Sequence, residues 1–187
     1  MRSRGNLELA AEQILKEAEN VQKEVLEKTP ARFAKAWMEL LCGYKREEEL
    51  QELLTTFETE GAQHLVVMRK IPFYSICEHH LLPFWGLATV GYIPRDKIFG
   101  ASKLVRVVEI YSRRLQLQER LTAQIADALE KHLNPLGVAV VLTGEHMCMA
   151  MRGVGKVGVE FIISEMRGAF RDEQSARAEF LTLHTGG

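Results

Sequence analysis

Residues 115–143, LQLQERLTAQIADALEKHLNPLGVAVVLT, decide the fold class of this chain. Leucine or isoleucine recurs every four residues from Leu117 to Leu133, which predicts one long amphipathic helix over Leu115–Leu133. The apolar run Val138–Thr143 follows and predicts a strand. A long helix next to a buried strand indicates a sheet with a helix packed against it.

Helical periodicity dominates residues 1–60. Apolar residues spaced three and four apart predict a helix over Leu7–Leu26. Thr29-Pro30 is typical of an N-cap followed by proline at the first helical position, and it predicts a second helix running toward Gly43. A short third helix is expected before Glu60-Gly61.

Strand-like segments occupy most of the remaining chain. Four further strands are predicted, at His64–Arg69, Leu87–Ile93, Met147–Met151 and Val157–Ser164. A closing helix is predicted over Glu173–Leu183. Helices first, then strands around one long helix, predict an α+β fold with an antiparallel sheet. At 187 residues we expect one compact domain, with an N-terminal helical segment at 1–60 and the main region at 61–187.

The composition argues against several function classes. The formal net charge is −1, with 47% hydrophobic and 26% charged residues, so no global charge points to nucleic acid. The N-terminal stretch MRSRGNLELAAEQILKEAEN carries charges throughout and lacks the apolar run of a signal peptide or a membrane span. We therefore expect a cytoplasmic protein with neither a nucleic-acid nor a membrane partner.

Three cysteines, an odd number without an export signal, favour thiols or metal ligands over a disulfide framework. Cys77-Glu78-His79-His80 places a thiolate and two imidazoles within four residues, in a turn expected at the end of a strand. Zinc takes thiolate sulfur and imidazole nitrogen, and the C-x-x-H spacing lets Cys77 and His80 reach one ion. Because two ligands bind too weakly, a third must come from elsewhere in the chain.

The stretch His146-Met-Cys-Met-Ala-Met-Arg152 is the second cluster. If it is a strand, His146, Cys148 and Arg152 share one face while the methionines face a core. A single cysteine or histidine of this kind is more often a packing residue than a ligand. Two such clusters in one chain favour the metal hypothesis.

A third region, Gly100–Arg106, could place Ser102 at a helix N-cap with Lys103 and Arg106 nearby, which suits a phosphate. The alternative is an ordinary cap with solvated charges. Gln118 and Glu119, side by side, could bind the donor edge of a purine, or could belong to a solvated helix face. Composition does not separate these alternatives.

Taken together, four segments resemble the GTP cyclohydrolase I family: YSICEHHLLPFWG (74–86), GASKLVRVVE (100–109), RRLQLQERLT (113–122) and HMCMAMRG (146–153). The resemblance runs from about Leu26 to the ending FRDEQSARAEFLTL. It implies the tunnelling fold, an antiparallel sheet with helices packed on one side. In this fold subunits pool their sheets into an oligomeric barrel, commonly a homodecamer with sites at subunit junctions. It also implies opening of the GTP imidazole ring at C8, release of formate and reclosure to 7,8-dihydroneopterin triphosphate. That product would feed folate, tetrahydrobiopterin or another pterin.

The resemblance also implies roles for individual residues. One Zn²⁺ per subunit would be held by Cys77, His80 and Cys148, with a fourth position open to water. His146 would donate a proton to N7, and His79 and Ser102 would handle protons in the later rearrangement. The remaining implied residues bind the substrate: Glu119 and Gln118 at the guanine edge, and Arg32, Lys103, Arg106 and Arg152 at the triphosphate.

The chain departs from the family pattern at a few positions. The segment GKVGVEFIIS (155–164) is more apolar than expected, and Ile76 and Ala101 replace a small polar residue and a leucine. None of these changes removes an implied ligand. Three alternatives remain: a relative on the same fold that acts on another purine or pterin, a non-catalytic zinc-binding subunit, and a zinc-knuckle nucleic-acid module. The last would need more clustered basic residues with interleaved aromatics.

Overall fold

The computed structural model describes residues 4–48, 50–61 and 64–186. The chain divides into two compact units, residues 1–42 and residues 43–187. In the described part, no helix combines the length and the apolar character needed to cross a bilayer.

The first unit is a pair of helices, α1 (Arg4–Lys16) and α2 (Lys23–Leu40), that pack on each other. The single helix predicted over 7–26 is wrong, because the chain breaks at Asn20, whose φ of 57° is left-handed. The predicted cap at Thr29-Pro30 is also wrong, since Pro30 lies inside α2. Pro30 and Ala34, one turn apart, are both buried, and this packing offsets the hydrogen bond that the proline cannot make.

Among the described residues, the second unit contains all the strands and the remaining helices. Its helices are α3 (Gly43–Arg46), α4 (Leu50–Leu53), α5 (Ala101–Ser112), α6 (Gln118–Leu133), α7 (Met147–Ala150), α8 (Ala169–Asp172) and α9 (Gln174–Thr185). Its strands are β1 (Thr56–Glu58), β2 (Val66–Cys77), β3 (Pro83–Ile93), β4 (Lys97–Phe99), β5 (Leu115–Gln116), β6 (Gly137–His146) and β7 (Phe161–Gly168). The predicted long helix and closing helix correspond to α6 and α9.

The main sheet has the strand order β5-β2-β3-β6-β7, and β1 and β4 form a separate pair. Its β2–β3, β3–β6 and β6–β7 pairs are antiparallel, and the two-residue β5 runs parallel to the end of β2. The predicted α+β class with an antiparallel sheet is therefore confirmed. Strand β2 extends well past the predicted Arg69, because a bulge between Met68 and Ile71 interrupts the alternation on which the prediction depended.

One face of the sheet is covered by α5 and α6. Val108 and Ile110 of α5 and Leu121, Ile125 and Leu129 of α6 are fully buried in one core. They pack with sheet residues that share this face, including Phe73, Phe84, Val90, Val140 and Leu142. The four-residue spacing that predicted α6 therefore marks its buried stripe, although the helix begins at Gln118 because Leu115-Gln116 pairs with β2.

The opposite face is covered at one end only. Phe170 of α8 and Phe180 of α9 pack there with Ala139 and Val141 of β6. Our expectation that helices pack on one side alone is therefore wrong for this end of the sheet. Toward the other end the face carries exposed apolar side chains, among them Tyr74, Leu87 and Ile162.

The segment Met147–Met151, predicted as a strand, is a helical turn, with the Met151 N–H bonded to the Met147 carbonyl at 3.0 Å. Strands β3 and β6 pair as far as Phe84↔His146, so the next partner of Met147 would be Pro83. Proline has no N–H to continue the ladder. The last predicted strand begins at Phe161 rather than Val157.

Candidate functional site

The candidate metal ligands lie where β2 and β6 end and β3 begins. Cys77 is the last residue of β2, and a tight turn returns the chain to β3 at Pro83. The turn is closed by hydrogen bonds from the Cys77 N–H to the Leu82 carbonyl and from the Leu81 N–H to the Cys77 carbonyl, each 2.9 Å. Leu81 takes a left-handed φ of 54° to make it. The predicted turn at this strand end is confirmed.

The structure brings the three predicted ligands together. Potential ligand atoms of Cys77, His80 and Cys148 all lie within 4.8 Å of one another, and Cys77 Sγ is 3.9 Å from His80 Nδ1. A tetrahedral zinc ion with ordinary bond lengths separates its sulfur and nitrogen ligands by about 3.5 Å. The spacing and the soft donor set fit a divalent metal of the zinc type, and three ligands leave one position for water or substrate.

Cys148 reaches this group from α7 rather than from a strand. Burial first, and then the neighbouring Cys77 sulfur, raise the pKa of the Cys148 thiol. Both effects disfavour a thiolate here, and both would be offset by a metal cation between the sulfurs. The donor chemistry therefore fits the metal as well as the distances do.

His146 ends β6 immediately before α7, two residues from Cys148. Its ring stacks on Phe84, with 4.5 Å between centroids and an interplanar angle of 5°, and meets Phe161 edge-on at 5.8 Å. Burial lowers the pKa of His146, and the Glu119 carboxylate partly opposes this. The imidazole therefore gives up a proton more readily than an exposed histidine would.

Gln118 and Glu119 begin α6 but point to different surroundings. The Gln118 side chain is buried, and its amide nitrogen donates to the carbonyls of Leu142 at 3.0 Å and Phe161 at 2.7 Å. Its amide oxygen lies 2.9 Å from His146 Nε2. Glu119 is exposed. The two residues treated as neighbours on one edge in the sequence therefore face inward and outward respectively.

The predicted phosphate-binding cations are spread over several elements. Arg152 follows α7, and its guanidinium lies 3.3 Å from His80 Nε2. Lys103 and Arg106 lie on α5, and within the described residues their side chains make no hydrogen bond or ion pair. Arg32 lies on α2, in the first unit.

His79 and Ser102, the two residues predicted to transfer protons in the later rearrangement, lie at exposed positions. The His79 ring is 6.2 Å from that of His80 and perpendicular to it. Ser102 is the second residue of α5 and not its N-cap, so that prediction is wrong. Gly100 is the cap because its extended backbone lets its carbonyl accept from the Lys103 N–H at 2.8 Å.

Sequence reasoning missed the ion pair between Glu78 and Arg120. Arg120 Nη1 lies 2.5 Å from Glu78 Oε2, and Nη2 lies 2.8 Å from Oε1. Both partners lie inside segments that resemble the family: Glu78 lies between the predicted ligands Cys77 and His80, and Arg120 directly follows Glu119. The available signal was the opposite charge of Glu78, beside the metal ligands, and Arg120, in the first turn of α6.

The fold and the site define a class of protein. It is an α+β protein with a candidate Cys₂His metal site at one end of its sheet and a half-buried histidine beside it. Three protein ligands with a position left open are typical of catalytic rather than structural zinc sites.

Comparison with known proteins defines the family. The sequence model described as GTP cyclohydrolase I matches residues 7–185, and the chain belongs to this family. A GTP cyclohydrolase 1 from Pelotomaculum thermopropionicum is 50% identical over 169 residues, covering 90% of this chain and 89% of the relative. One from Deinococcus radiodurans is 47% identical over 184 residues, covering 97% and 84%. The enzyme of that name from Drosophila melanogaster is 49% identical over 167 residues, covering 88% and 51%.

Among solved structures, the apo form of an archaeosine synthase QueF-like protein matches with a TM-score of 0.48 and 21% identity. The match covers 57% of this chain and 96% of that one.

Proposed function

We propose that the chain is a GTP cyclohydrolase I. It hydrolytically opens the imidazole ring of GTP at C8, releases formate and recloses the product as 7,8-dihydroneopterin triphosphate. The convergence of Cys77, His80 and Cys148 beside His146 carries this proposal, together with relatives about 50% identical over most of the chain. The reaction needs an activated water and a proton donor close together, and this site offers residues for both.

The metal ligands would hold one Zn²⁺ per chain. A zinc ion held by two thiolates and one imidazole lowers the pKa of water toward neutrality, which is the chemistry that hydrolysis at C8 requires. Cys77 and His80 come from one tight turn, so their relative position is set by local backbone hydrogen bonds. Cys148 completes the ligand group from α7, the helical turn that follows β6.

His146 would donate the proton to N7 as the ring opens. Its position two residues from Cys148 places it beside the metal group, and its stacking on Phe84 fixes the plane of the imidazole. The lowered pKa of His146 favours release of its proton. His79 and Ser102, both exposed, would handle protons during the later rearrangement of the ribose.

Glu119 would select guanine. Its exposed carboxylate can accept hydrogen bonds from the N1–H and 2-amino groups of guanine, which adenine lacks. Gln118, assigned with it to the guanine edge, precedes it on α6, and its side chain is directed to His146. The electrostatic effect of Glu119 on the His146 pKa supports a position for the guanine end close to His146.

Cations would hold the triphosphate. Arg152 lies beside His80, and Lys103 and Arg106 lie in the first two turns of α5, where the helix dipole also favours anions. Arg32, which lies on α2, is the fourth cation that the family resemblance assigns to the triphosphate. Binding at the remote phosphates would position C8 and so lower the barrier to the chemical step.

We further propose that the chain acts as a homo-oligomer of the tunnelling fold, a decamer with sites at subunit junctions, in the cytoplasm. The segment 154–162 supports this, because Val154, Val157, Val159, Phe161 and Ile162 are exposed, Val157 to 82%. An apolar stretch of this kind typically marks an interface. Strand β7, at the edge of the sheet, offers a free row of backbone groups for pairing with another copy. The particle mass from light scattering would test the assembly.

The experiment for the reaction is direct. Zinc-loaded protein is incubated with GTP, formate is quantified, and the fluorescent pterin is measured after oxidation. GMP and ATP are the matched substrates, one lacking two phosphates and the other lacking the guanine donors. We expect formate and pterin from GTP in equal amounts and little from the other two. Intact GTP after prolonged incubation would refute the proposal.

A further inference from the structure

The Gln118 amide has only one orientation compatible with its surroundings. The side chain is 1% exposed, and one end of the amide faces the carbonyl oxygens of Leu142 and Phe161 at 3.0 and 2.7 Å. Carbonyl oxygens only accept hydrogen bonds, so the NH₂ group must be at that end. The amide oxygen is therefore the atom that faces His146 Nε2 at 2.9 Å.

This orientation determines where His146 carries its hydrogen. An amide oxygen has no hydrogen to give, so the proton of the Gln118–His146 bond must lie on Nε2. In the neutral imidazole the lone pair is then on Nδ1. Of the two ring nitrogens, Nδ1 is the one left to exchange a proton with another group.

The plane of the His146 ring is fixed by its two aromatic contacts. Phe84 stacks on it and Phe161 meets it edge-on, so rotation of the ring out of its plane would break both contacts. Gly144 makes room for the amide, because a Cβ added there would lie 2.6 Å from Gln118 Oε1. Two positions on different elements, one on α6 and one on β6, therefore serve the same hydrogen bond.

We propose that Gln118 is a positioning residue that fixes the tautomer and orientation of His146 and leaves Nδ1 to face the substrate. The Gln118 side chain itself does not bind guanine. The inference rests on the proposed function for the role of His146. When an imidazolium gives its Nδ1 proton to the substrate, it returns to the neutral Nε2–H form that Gln118 favours. The two neighbouring residues then have different roles: Glu119 binds guanine, and Gln118 positions the proton donor His146.

The first test reads the tautomer without any reaction. Zinc-loaded protein labelled with ¹⁵N-histidine is examined by solid-state NMR at mildly alkaline pH, and the His146 signals are assigned by their loss in His146→Ala. We expect the Nε2–H tautomer in the parent, and a mixture of tautomers in Gln118→Ala and in Gly144→Ala. Gln116→Ala is the matched control, since Gln116 is equally buried and donates to Tyr111 and Gln124 instead. Hydrogen on Nδ1 in the parent, or an unchanged tautomer in Gln118→Ala, would overturn the proposal.

The second test is a double-mutant cycle on formate release from GTP. Gln118→Ala should lower kcat by about 10-fold or more while the KM for GTP changes by less than about twofold. In a His146→Ala background the same change should have no further effect, because the residue through which it acts is gone. A loss of GTP affinity that persists in that background would show that Gln118 contacts the guanine, and would refute the inference.

The two tests separate this inference from the proposed function. If the parent released no formate from GTP, the function would fall while the NMR result on His146 still stood. If the parent turned over GTP and the tautomer proved independent of Gln118, the function would stand and the inference would fall.

Discussion

Arg120 and Glu78 form a two-point ion pair that ties the first turn of α6 to the turn carrying the metal ligands. Arg120 Nη1 donates to Glu78 Oε2 at 2.5 Å, and Nη2 donates to Oε1 at 2.8 Å. The hydrogen bond from Arg120 is the main cause that lowers the pKa of Glu78. Because Arg120 follows Glu119 and Glu78 follows Cys77, the pair holds the proposed guanine end of the site against the metal end.

Glu78→Gln removes the charge while keeping the size of the side chain. We expect kcat/KM for GTP to fall by roughly 10-fold, because the two ends of the site lose their fixed spacing. Zinc content should remain near one per chain, and the melting temperature should change little, since the pair is near the surface. Glu24→Gln, which breaks the exposed ion pair with Lys28 on α2, is the control and should leave kcat/KM unchanged. Parent-like kcat/KM in Glu78→Gln would show that the ion pair does not position the site.

The three metal ligands should be individually necessary for zinc. Cys77→Ser, His80→Ala and Cys148→Ser should each lose most of the bound metal, because two remaining protein ligands are too few. Cys42→Ser is the matched control, because Cys42 is the remaining cysteine and lies outside the ligand group. Elemental analysis after dialysis measures the outcome. Full zinc occupancy in any of the three ligand variants would remove that residue from the set.

The variants His146→Ala and His80→Ala should lose activity for different reasons. His146→Ala should keep its zinc while pterin formation falls by a factor on the order of 10², as suits the loss of a positioned acid or base. His80→Ala should lose activity together with its metal. Zinc content and pterin production are measured side by side for both variants. A metal-free His146→Ala would make His146 a ligand, and a fully active one would move the proton donor elsewhere, to His79 first.

The phosphate cations should control the preference for GTP over GMP. Lys103→Ala and Arg152→Ala should each reduce that preference by about 10-fold or more, because remote binding energy no longer positions the purine. Lys156→Ala is a nearby control, since Lys156 is an exposed cation outside the proposed set. The ratio of kcat/KM values for the two nucleotides decides the matter. If the variants prefer GTP over GMP as strongly as the parent does, these cations do not bind the triphosphate.

Parts of the fold follow from local pattern, and other parts depend on distant partners. The four-residue spacing predicted α6 because the same stripe is buried against the sheet. The alternation in Met147–Met151 predicted a strand wrongly, since only the register places Pro83 opposite Met147 and ends the ladder. Pro30 was misassigned for a similar reason, because its burial inside α2 depends on packing rather than on local preference.

The site divides in the same way. Donor chemistry and the family resemblance predicted that Cys77, His80 and Cys148 would meet, and the structure places them together. The contact between Gln118 and His146 joins residues 28 positions apart, and that between Glu78 and Arg120 joins residues 42 apart. No local pattern records such pairs. Adjacent helical residues also point in directions about 100° apart, so the sequence could not assign Gln118 inward and Glu119 outward.

The most direct test of metal-dependent opening of GTP is a zinc titration of metal-free protein. Zinc is added stepwise, bound metal is measured by elemental analysis, and the initial rate of formate release from GTP is recorded at each step. We predict that the rate rises in proportion to bound zinc and levels off at one zinc per chain. Full activity in the metal-free protein, or no formate at any zinc content, would contradict the account.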